Sequence, residues 1–258
     1  MFKQVTLTRR LLPILSHPIP STRTHRYHPH PHPHFIPSHH SHHRPITMST
    51  EPAIVHYTAK TPNGSCTSIF LSALRSAYPS QPDLQSYQII PMSGSHPSDH
   101  NYVKAPWFLA VNPNGRLPAV TVRGFRVFET SAILCYLAEV YDVRREFSFD
   151  PGREGREYGE MMQWLFFTHG GIGPMQGQAG HFVFAAPEKI EYAQKRYINE
   201  TRRLYGVLEG QLKKGDKKYI VGDKLTLVDF KTFPWNLIDL AVEFPAIKDV
   251  QEGLKVGA

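Results

Sequence analysis

The apolar positions of the chain fall into short runs of strand length and longer segments of helical period, separated by clear turn signals. Ala53 to Tyr57 (AIVHY) is a brief apolar run that reads as a buried strand. The loop residues TPNG come next, and from Ser65 to about Leu74 the side chains of Ile69, Phe70 and Leu74 share one helical face. After a connection rich in Ser, Pro and Gln, Tyr87 to Ile90 predicts a second strand. Trp107 to Val111 reads as a short helix that Asn112-Pro113-Asn114-Gly115 breaks, and Leu117 to Val122 resumes extended structure. Gly124 marks a tight hairpin turn, Phe125 to Phe128 is the returning arm, and Glu129 opens a helix reaching about Tyr141. The predicted order is β-α-β-α-β-β-α.

Beyond Tyr141 the pattern changes. VRREFSFDPGREG is charged, contains Pro and Gly, and reads as a linker. The remainder of the chain is helical in period: Arg156 to Thr168 carries MMQWLFF, and Pro187 to Lys214 spaces Ile190, Ala193, Tyr197, Thr201, Leu204, Leu208 and Leu212 along one face. Thr226 and Asp229 in TLVD have the spacing of a helix-starting cap, a folding role. The glycine-rich stretch GGIGPMQGQAG puts Gln176 where a dinucleotide loop needs its third glycine, so it reads as a helix-ending bend. Gly210 and Gly215 have phosphate-loop spacing, but Asp216 and Lys217 replace the residues that would hold phosphate and metal. The predicted organisation is a leader over 1–50, a first domain over 51–141, a linker over 142–155 and a helical domain over 156–258.

Charge changes this picture little. The formal net charge is +7 on 258 residues, yet residues 1–47 hold six of the 29 bases and none of the 22 acids, which leaves the rest balanced to within one charge. So weak a field gives a phosphate backbone no grip, and a nucleic-acid partner is excluded. No apolar run reaches the ~18 residues of a membrane span, so no membrane partner is expected. Cys66 and Cys135 are too few for a disulfide framework and lack zinc spacing, which favours a reducing compartment and no metal. In the leader His28, His30, His32 and His34 alternate with prolines, a composition that favours disorder over a metal site of fixed geometry. Its acid-free, arginine-bearing start resembles a mitochondrial import signal, although Pro13 shortens any amphipathic helix, and Met48 is a natural alternative start, so the expected location is cytoplasmic with mitochondrial as the alternative.

Four segments taken in order carry a family resemblance: VNPNGRLPAV, VFETSAILCYLAEVYD, MMQWLFFTHGGIGPMQGQAGHF and PEKIEYAQKRYINETRRLYGVLE. Together they resemble the cytosolic glutathione transferases, in particular the fungal group related to the yeast nitrogen-catabolite regulator and its bacterial counterparts with a TPNG loop. The resemblance implies an α+β two-domain fold, with a thioredoxin-like βαβαββα N-terminal domain followed by an all-α C-terminal domain. It also implies a homodimer that uses glutathione as cosubstrate.

The resemblance assigns the sulfur of glutathione to the TPNG loop, with Thr61 and Asn63 as its polar contacts. The physical case is independent. An alkyl thiol titrates near pKa ~8.5, so only a few per cent is the nucleophilic anion at neutral pH. Lowering that value by two units takes about 2.7 kcal/mol of preference for the anion. Two charge-assisted hydrogen bonds, from an Asn amide and a Thr hydroxyl beside a helix N-terminus, are of that size. Ser65 is the alternative sulfur donor, and Asn63-Gly64 is also an ordinary turn pair. By the same resemblance the bond before Pro118 is cis, Leu117 pairs its backbone with the cysteinyl segment, and Glu129 and Thr130 hold the γ-glutamyl ammonium and carboxylate. Arg116 and Arg196 are expected to meet the ligand carboxylates, and Trp164, Phe167 and His169 to flank the acceptor substrate. Cys66 reads as a half-exposed packing residue and Cys135 as core. The function implied is conjugation of glutathione to small electrophiles, or glutathione-dependent disulfide or peroxide reduction. A noncatalytic binding module on the same fold is the alternative.

Overall fold

β1 (Ile54–Thr58) is the centre of a four-stranded sheet in the order β2-β1-β3-β4. These elements belong to a computed structural model that describes residues 52–93, 98–215 and 217–236. The expectations for the leader lie outside the described residues. β1 runs parallel to β2 (Gln88–Pro91), with Val55 opposite Gln88, and antiparallel to β3 (Ala119–Val122), with Val55 opposite Thr121. β3 returns as β4 (Phe125–Phe128) through Arg123 and Gly124, whose φ values of 48° and 83° are the left-handed pair that a two-residue hairpin turn requires.

The parallel β1–β2 pair needs a crossover, and α1 (Pro62–Ala77) supplies it, followed by a single turn α2 (Pro82–Gln85). α3 (Pro106–Val111) crosses the other face of the sheet, where Phe108 and Ala119 are buried with Tyr57 and Leu117 against them. α4 (Thr130–Tyr141) comes after β4. Phe70, Leu71 and Leu74 of α1 and Ile133, Leu134 and Leu137 of α4 are wholly buried with Ile54, each such side chain contributing roughly 1.5–3 kcal/mol. The order of strands and principal helices matches the predicted β-α-β-α-β-β-α, with α2 as an addition in the Ser/Pro/Gln connection.

α1 begins earlier than its hydrophobic period suggests. Thr61 is the cap, extended at φ −131° and ψ 157°, and its hydroxyl oxygen accepts the Gly64 amide at 3.1 Å. Pro62 then takes the first helical position, where its missing N–H is no loss. TPNG is therefore the first turn of the helix and not a loop before it.

After α4 the chain is tied by Asp142, fully buried, which accepts from Tyr78 Oη at 2.5 Å, the Glu146 amide at 2.8 Å, the Phe147 amide at 3.0 Å and Ser148 Oγ at 2.8 Å. α5 (Gly155–Phe167) passes through a π-helical turn at Thr168–Ile172 into α6 (Gly173–Gly180), and a second such turn closes at Ala185. The expected helix-ending bend at GGIGPMQGQAG is thus replaced by a continued helix. Its glycines give room and do not break the chain: a β-carbon at Gly171 would stand 3.1 Å from Leu204 Cδ2, and one at Gly173 would stand 3.2 Å from Trp235 Cζ2.

α7 (Glu191–Leu212) starts later than expected, because residues 187–190 are exposed and have no packing to hold them helical. α8 (Leu227–Asn236) is anchored by Asp229, which accepts from the Ile220 amide at 3.1 Å, the Thr226 amide at 2.8 Å and the Thr226 hydroxyl at 2.9 Å. It lies along α1, with the Phe70 and Phe230 rings 5.1 Å apart and Cys66 Sγ donating to the Lys231 carbonyl at 3.2 Å. That contact fills the site of Cys66, which is fully buried and not half-exposed as its sequence suggested. Among the described residues no helix is long and apolar enough to cross a membrane.

Candidate active site

A cleft of about 500 Å³ opens where the N-terminus of α1, the turn before β3, the start of α4, the π-helical turn and α8 meet. Its polar walls come from Thr61, Asn63, Arg116, Glu129, Thr130 and Lys231, and Trp235 and Pro174 supply its apolar surface. The first turn of α1 contains no acid, so the positive end of its dipole is unopposed there. The Thr61 hydroxyl oxygen is engaged with Gly64, but a hydroxyl that accepts one bond still has a proton to give.

The NPNG turn is built from its own side chains. The Asn112 amide donates to the Arg116 carbonyl at 2.7 Å, its oxygen accepts the Asn114 N–H at 3.0 Å, and Gly115 adopts φ 57°. This turn delivers Leu117 to the cleft ahead of a cis Leu117–Pro118 bond.

Glu129 is held in an unusual conformation, φ 70° and ψ 117°, immediately before α4. Non-glycine residues in that region carry a strain of about 1–3 kcal/mol and persist where the surroundings fix them. Two neighbours do so: Asn114 Nδ2 donates to Glu129 Oε1 at 3.5 Å, and His169 Nε2 lies 3.4 Å from Oε2. The other ring nitrogen, Nδ1, is 3.0 Å from Ser131 Oγ. Burial, with Lys231 adding to it, pulls the His169 pKa below its ordinary value. A neutral ring fits this geometry: Ser131 donates to Nδ1, and the Nε2–H edge faces the carboxylate.

Opposite, Lys231 Nζ donates to Asn63 Oδ1 at 2.8 Å from a side chain only 2% exposed. Burial lowers the Lys231 pKa, and Cys66 and Glu129 oppose that shift. Burial also pushes the thiols of Cys66 and Cys135 up to about 11, so neither is a thiolate near neutral pH.

Comparisons with known proteins agree with this architecture. The glutathione S-transferase N-terminal domain matches residues 87–139 and the C-terminal domain matches residues 172–252. The disulfide-bond oxidoreductase YfcG of Escherichia coli is 34% identical over 212 residues, which cover 77% of this chain and 88% of that protein. The chain belongs to the glutathione S-transferase family.

Two solved structures place it more narrowly. A glutathione transferase homologue from Lodderomyces elongisporus, solved with two glutathione molecules per subunit, is 38% identical at a TM-score of 0.68 and covers 80% of this chain and 94% of its own. The transferase URE2P6 of Phanerochaete chrysosporium, in complex with oxidized glutathione, is 36% identical at a TM-score of 0.68, covering 80% and 92%. This transferase is of the Ure2-like group. Glutathione S-transferase 2 of Schizosaccharomyces pombe is 42% identical over 134 residues, but the match spans only 55% of that protein's length.

Of the residues that the sequence singled out, Thr61, Asn63, Arg116, Leu117, Pro118, Glu129, Thr130 and His169 all line the cleft of this transferase. The others lie elsewhere. Arg196 lines a separate recess on the exposed side of α7 with Tyr192, Asn199 and Arg203. Trp164 and Phe167 pack edge-to-face at 5.2 Å against the core and not in the cleft, because their positions on α5 turn them towards it. Ser65 does not line the cleft either. Lys231 and Trp235 escape a reading of the sequence, since on α8 they carry only the ordinary periodicity of a helix.

Proposed function

We propose that the protein binds glutathione in this cleft, ionises its thiol, and uses the anion against small electrophiles or the sulfur of a disulfide. One observation carries the reading: Asn63 and Thr61 at the α1 N-terminus, the Leu117–Pro118 edge and Glu129 with Thr130 line a single cleft. Glu129 accepts from the γ-glutamyl ammonium, while the Thr130 hydroxyl and the first amides of α4 receive the adjoining carboxylate. Leu117 pairs its backbone with the cysteinyl segment as an added strand. The sulfur then meets the Asn63 amide and the Thr61 hydroxyl. Arg116 serves the glycyl carboxylate, and Pro174, His169 and Trp235 border the acceptor.

Cys66 is buried, Cys135 is half-buried and both thiols are pushed up to about 11, which favours a particular route for disulfide reduction. A bound glutathione thiolate attacks one sulfur of the substrate disulfide, the S–S bond breaks, and the other half leaves as a thiolate that takes up a proton. A second glutathione thiolate attacks the mixed disulfide at the glutathione sulfur, giving oxidized glutathione and the second substrate thiol. Two glutathiones supply both electrons, and no protein cysteine takes part. The homologue with two glutathiones per subunit and the oxidoreductase relative support this route.

The proposal extends to a homodimer in a fungal cytoplasm, acting in detoxification or redox balance without a metal. Steady-state rates with a chlorinated nitroaromatic, a hydroperoxide and a mixed disulfide, measured beside Asn63→Ala, test it. Turnover of at least one substrate that falls ten- to a hundredfold in the variant supports the enzyme; no turnover with intact glutathione binding supports a binding module instead.

A further inference from the structure

A buried lysine on α8 has no evident packing purpose. Its neighbours Phe230 and Thr232 are buried with it, and an apolar side chain of equal length would fill the same space without bringing a charge out of water. Lys231 nevertheless reaches from the helical region to the first turn of α1, where its Nζ meets Asn63 Oδ1 at 2.8 Å.

The chemistry of the pair fixes a direction. An ammonium has donors and no acceptor, so of the two ends of a carboxamide only the oxygen can face it. The Asn63 amide is thereby oriented, with Nδ2 and its two hydrogens turned away from Lys231. We propose that Lys231 is a positioning residue for Asn63, holding Oδ1 from behind so that Nδ2 presents its hydrogens to the sulfur of bound glutathione. This rests on the reading of Asn63 as the thiolate donor.

The surroundings fit the role. The titratable groups that face Lys231 are Cys66 from α1, Glu129 from the start of α4 and His169 from the π-helical turn. Cys66 is a neutral thiol whose hydrogen bond goes to the Lys231 carbonyl, which pins the backbone of the lysine. His169 is engaged with Glu129 and Ser131. Among these groups only Glu129 carries a negative charge, and it is spoken for by the ligand ammonium. Among the described residues the lysine therefore has one strong hydrogen-bond acceptor, the Asn63 amide, and polarises it. An amide whose oxygen is bonded to a cation is a stronger donor at nitrogen, as chained hydrogen bonds reinforce one another.

The test is an ultraviolet titration of the glutathione thiol bound to the full chain, in wild type, Lys231→Met, Lys231→Arg, Asn63→Ala and the double variant Asn63→Ala/Lys231→Met. Loss of the lysine is expected to raise the midpoint by about one unit, from about 6.5 to about 7.5, which cuts the thiolate fraction at about pH 7 roughly threefold. Lys231→Arg keeps the donor and is expected to recover at least half of that shift. Glutathione affinity measured at about pH 5.5, below both midpoints so that the shift in thiol ionisation does not enter, should change by less than about threefold in Lys231→Met, whereas a merely structural role would weaken it. In the Asn63→Ala background the lysine substitution should move the midpoint no further. Should Lys231→Met fail to fold, Lys231→Gln, uncharged and polar, takes its place with the same expected direction. An unmoved midpoint in the folded lysine variant, or an equal shift with and without Asn63, overturns the inference. If Asn63→Ala shifts the midpoint and Lys231→Met does not, this inference alone falls; if Asn63→Ala does not, the reading of Asn63 falls with it.

Discussion

Glu129 and His169 face one another on the cleft wall, with Oε2 3.4 Å from Nε2, and the imidazole is held in turn by Ser131 at 3.0 Å. The arrangement fixes a carboxylate whose backbone lies at a φ of 70° and leaves its outer lone pairs to a cationic ligand. Glu129→Gln removes the charge from a charge-assisted bond worth about 1.5–3 kcal/mol, so glutathione affinity should fall about ten- to a hundredfold. His169→Ala removes a neutral support and should weaken binding by only about two- to tenfold. Isothermal titration of glutathione into the two variants measures both.

Gly64 fixes the approach of α1 to β1. A β-carbon there would collide with the Ala59 carbonyl oxygen and the Thr58 hydroxyl, and backbone has no slack to give. Gly64→Ala is expected to destabilise the chain by about 1–3 kcal/mol, as overpacking does, a drop of several degrees in melting temperature. Because the shift displaces the first turn of α1, turnover should fall in the material that still folds. Thermal denaturation and an activity assay on the same preparation check this.

His56 sits in β1 with no exposure, and neither ring nitrogen has a hydrogen-bond partner among the described residues. Burial lowers its pKa from 6.5 to about 4. The unfolded chain thus binds a proton between those values that the folded chain does not, so stability is complete above pH 6.5 and is lost as pH falls towards 4. At 1.36 kcal/mol per unit the loss from this residue reaches about 3 kcal/mol. His56→Leu should keep its stability at neutral pH and lose about that much less on acidification. Urea denaturation of both proteins across this range gives the difference.

If glutathione supplies both thiols, the protein's own cysteines are dispensable. Cys66→Ser retains a donor for the Lys231 carbonyl, and Cys135 is only packed against the core. The double variant Cys66→Ser/Cys135→Ser should reduce a mixed disulfide at a rate within about threefold of wild type, since serine at a buried thiol site costs stability before it costs chemistry. Coupled reduction of the oxidized glutathione product reads out the rate.

The parts of this site that could be read in the sequence are those with local causes. The turn at Gly124 needs a left-handed backbone, the NPNG turn satisfies its own amides, and Glu129 with Thr130 stands at a helix start. The Thr61-Pro62 pair is also a helix-start signal, a capping hydroxyl before a proline, although TPNG reads as a loop. Glycine at 171 and 173 suggests a break because its flexibility is a local property, whereas its use here is the close approach of Leu204 and Trp235. Lys231 and Asn63 are 168 residues apart, and no periodicity links them. Arg196 fails as a ligand residue for the converse reason: a helical arginine is read the same way on either face, and packing turns this one outward.

The claim on which the rest depends is that a thiolate is more stable in the cleft than in water. The direct measurement is the ultraviolet titration midpoint of glutathione bound to the wild-type chain, beside the same titration with Asn63→Ala. Two charge-assisted bonds should bring the midpoint about two units below the ~8.5 of a free thiol, with at least one unit restored by the substitution. A wild-type midpoint equal to that of free glutathione would contradict the account.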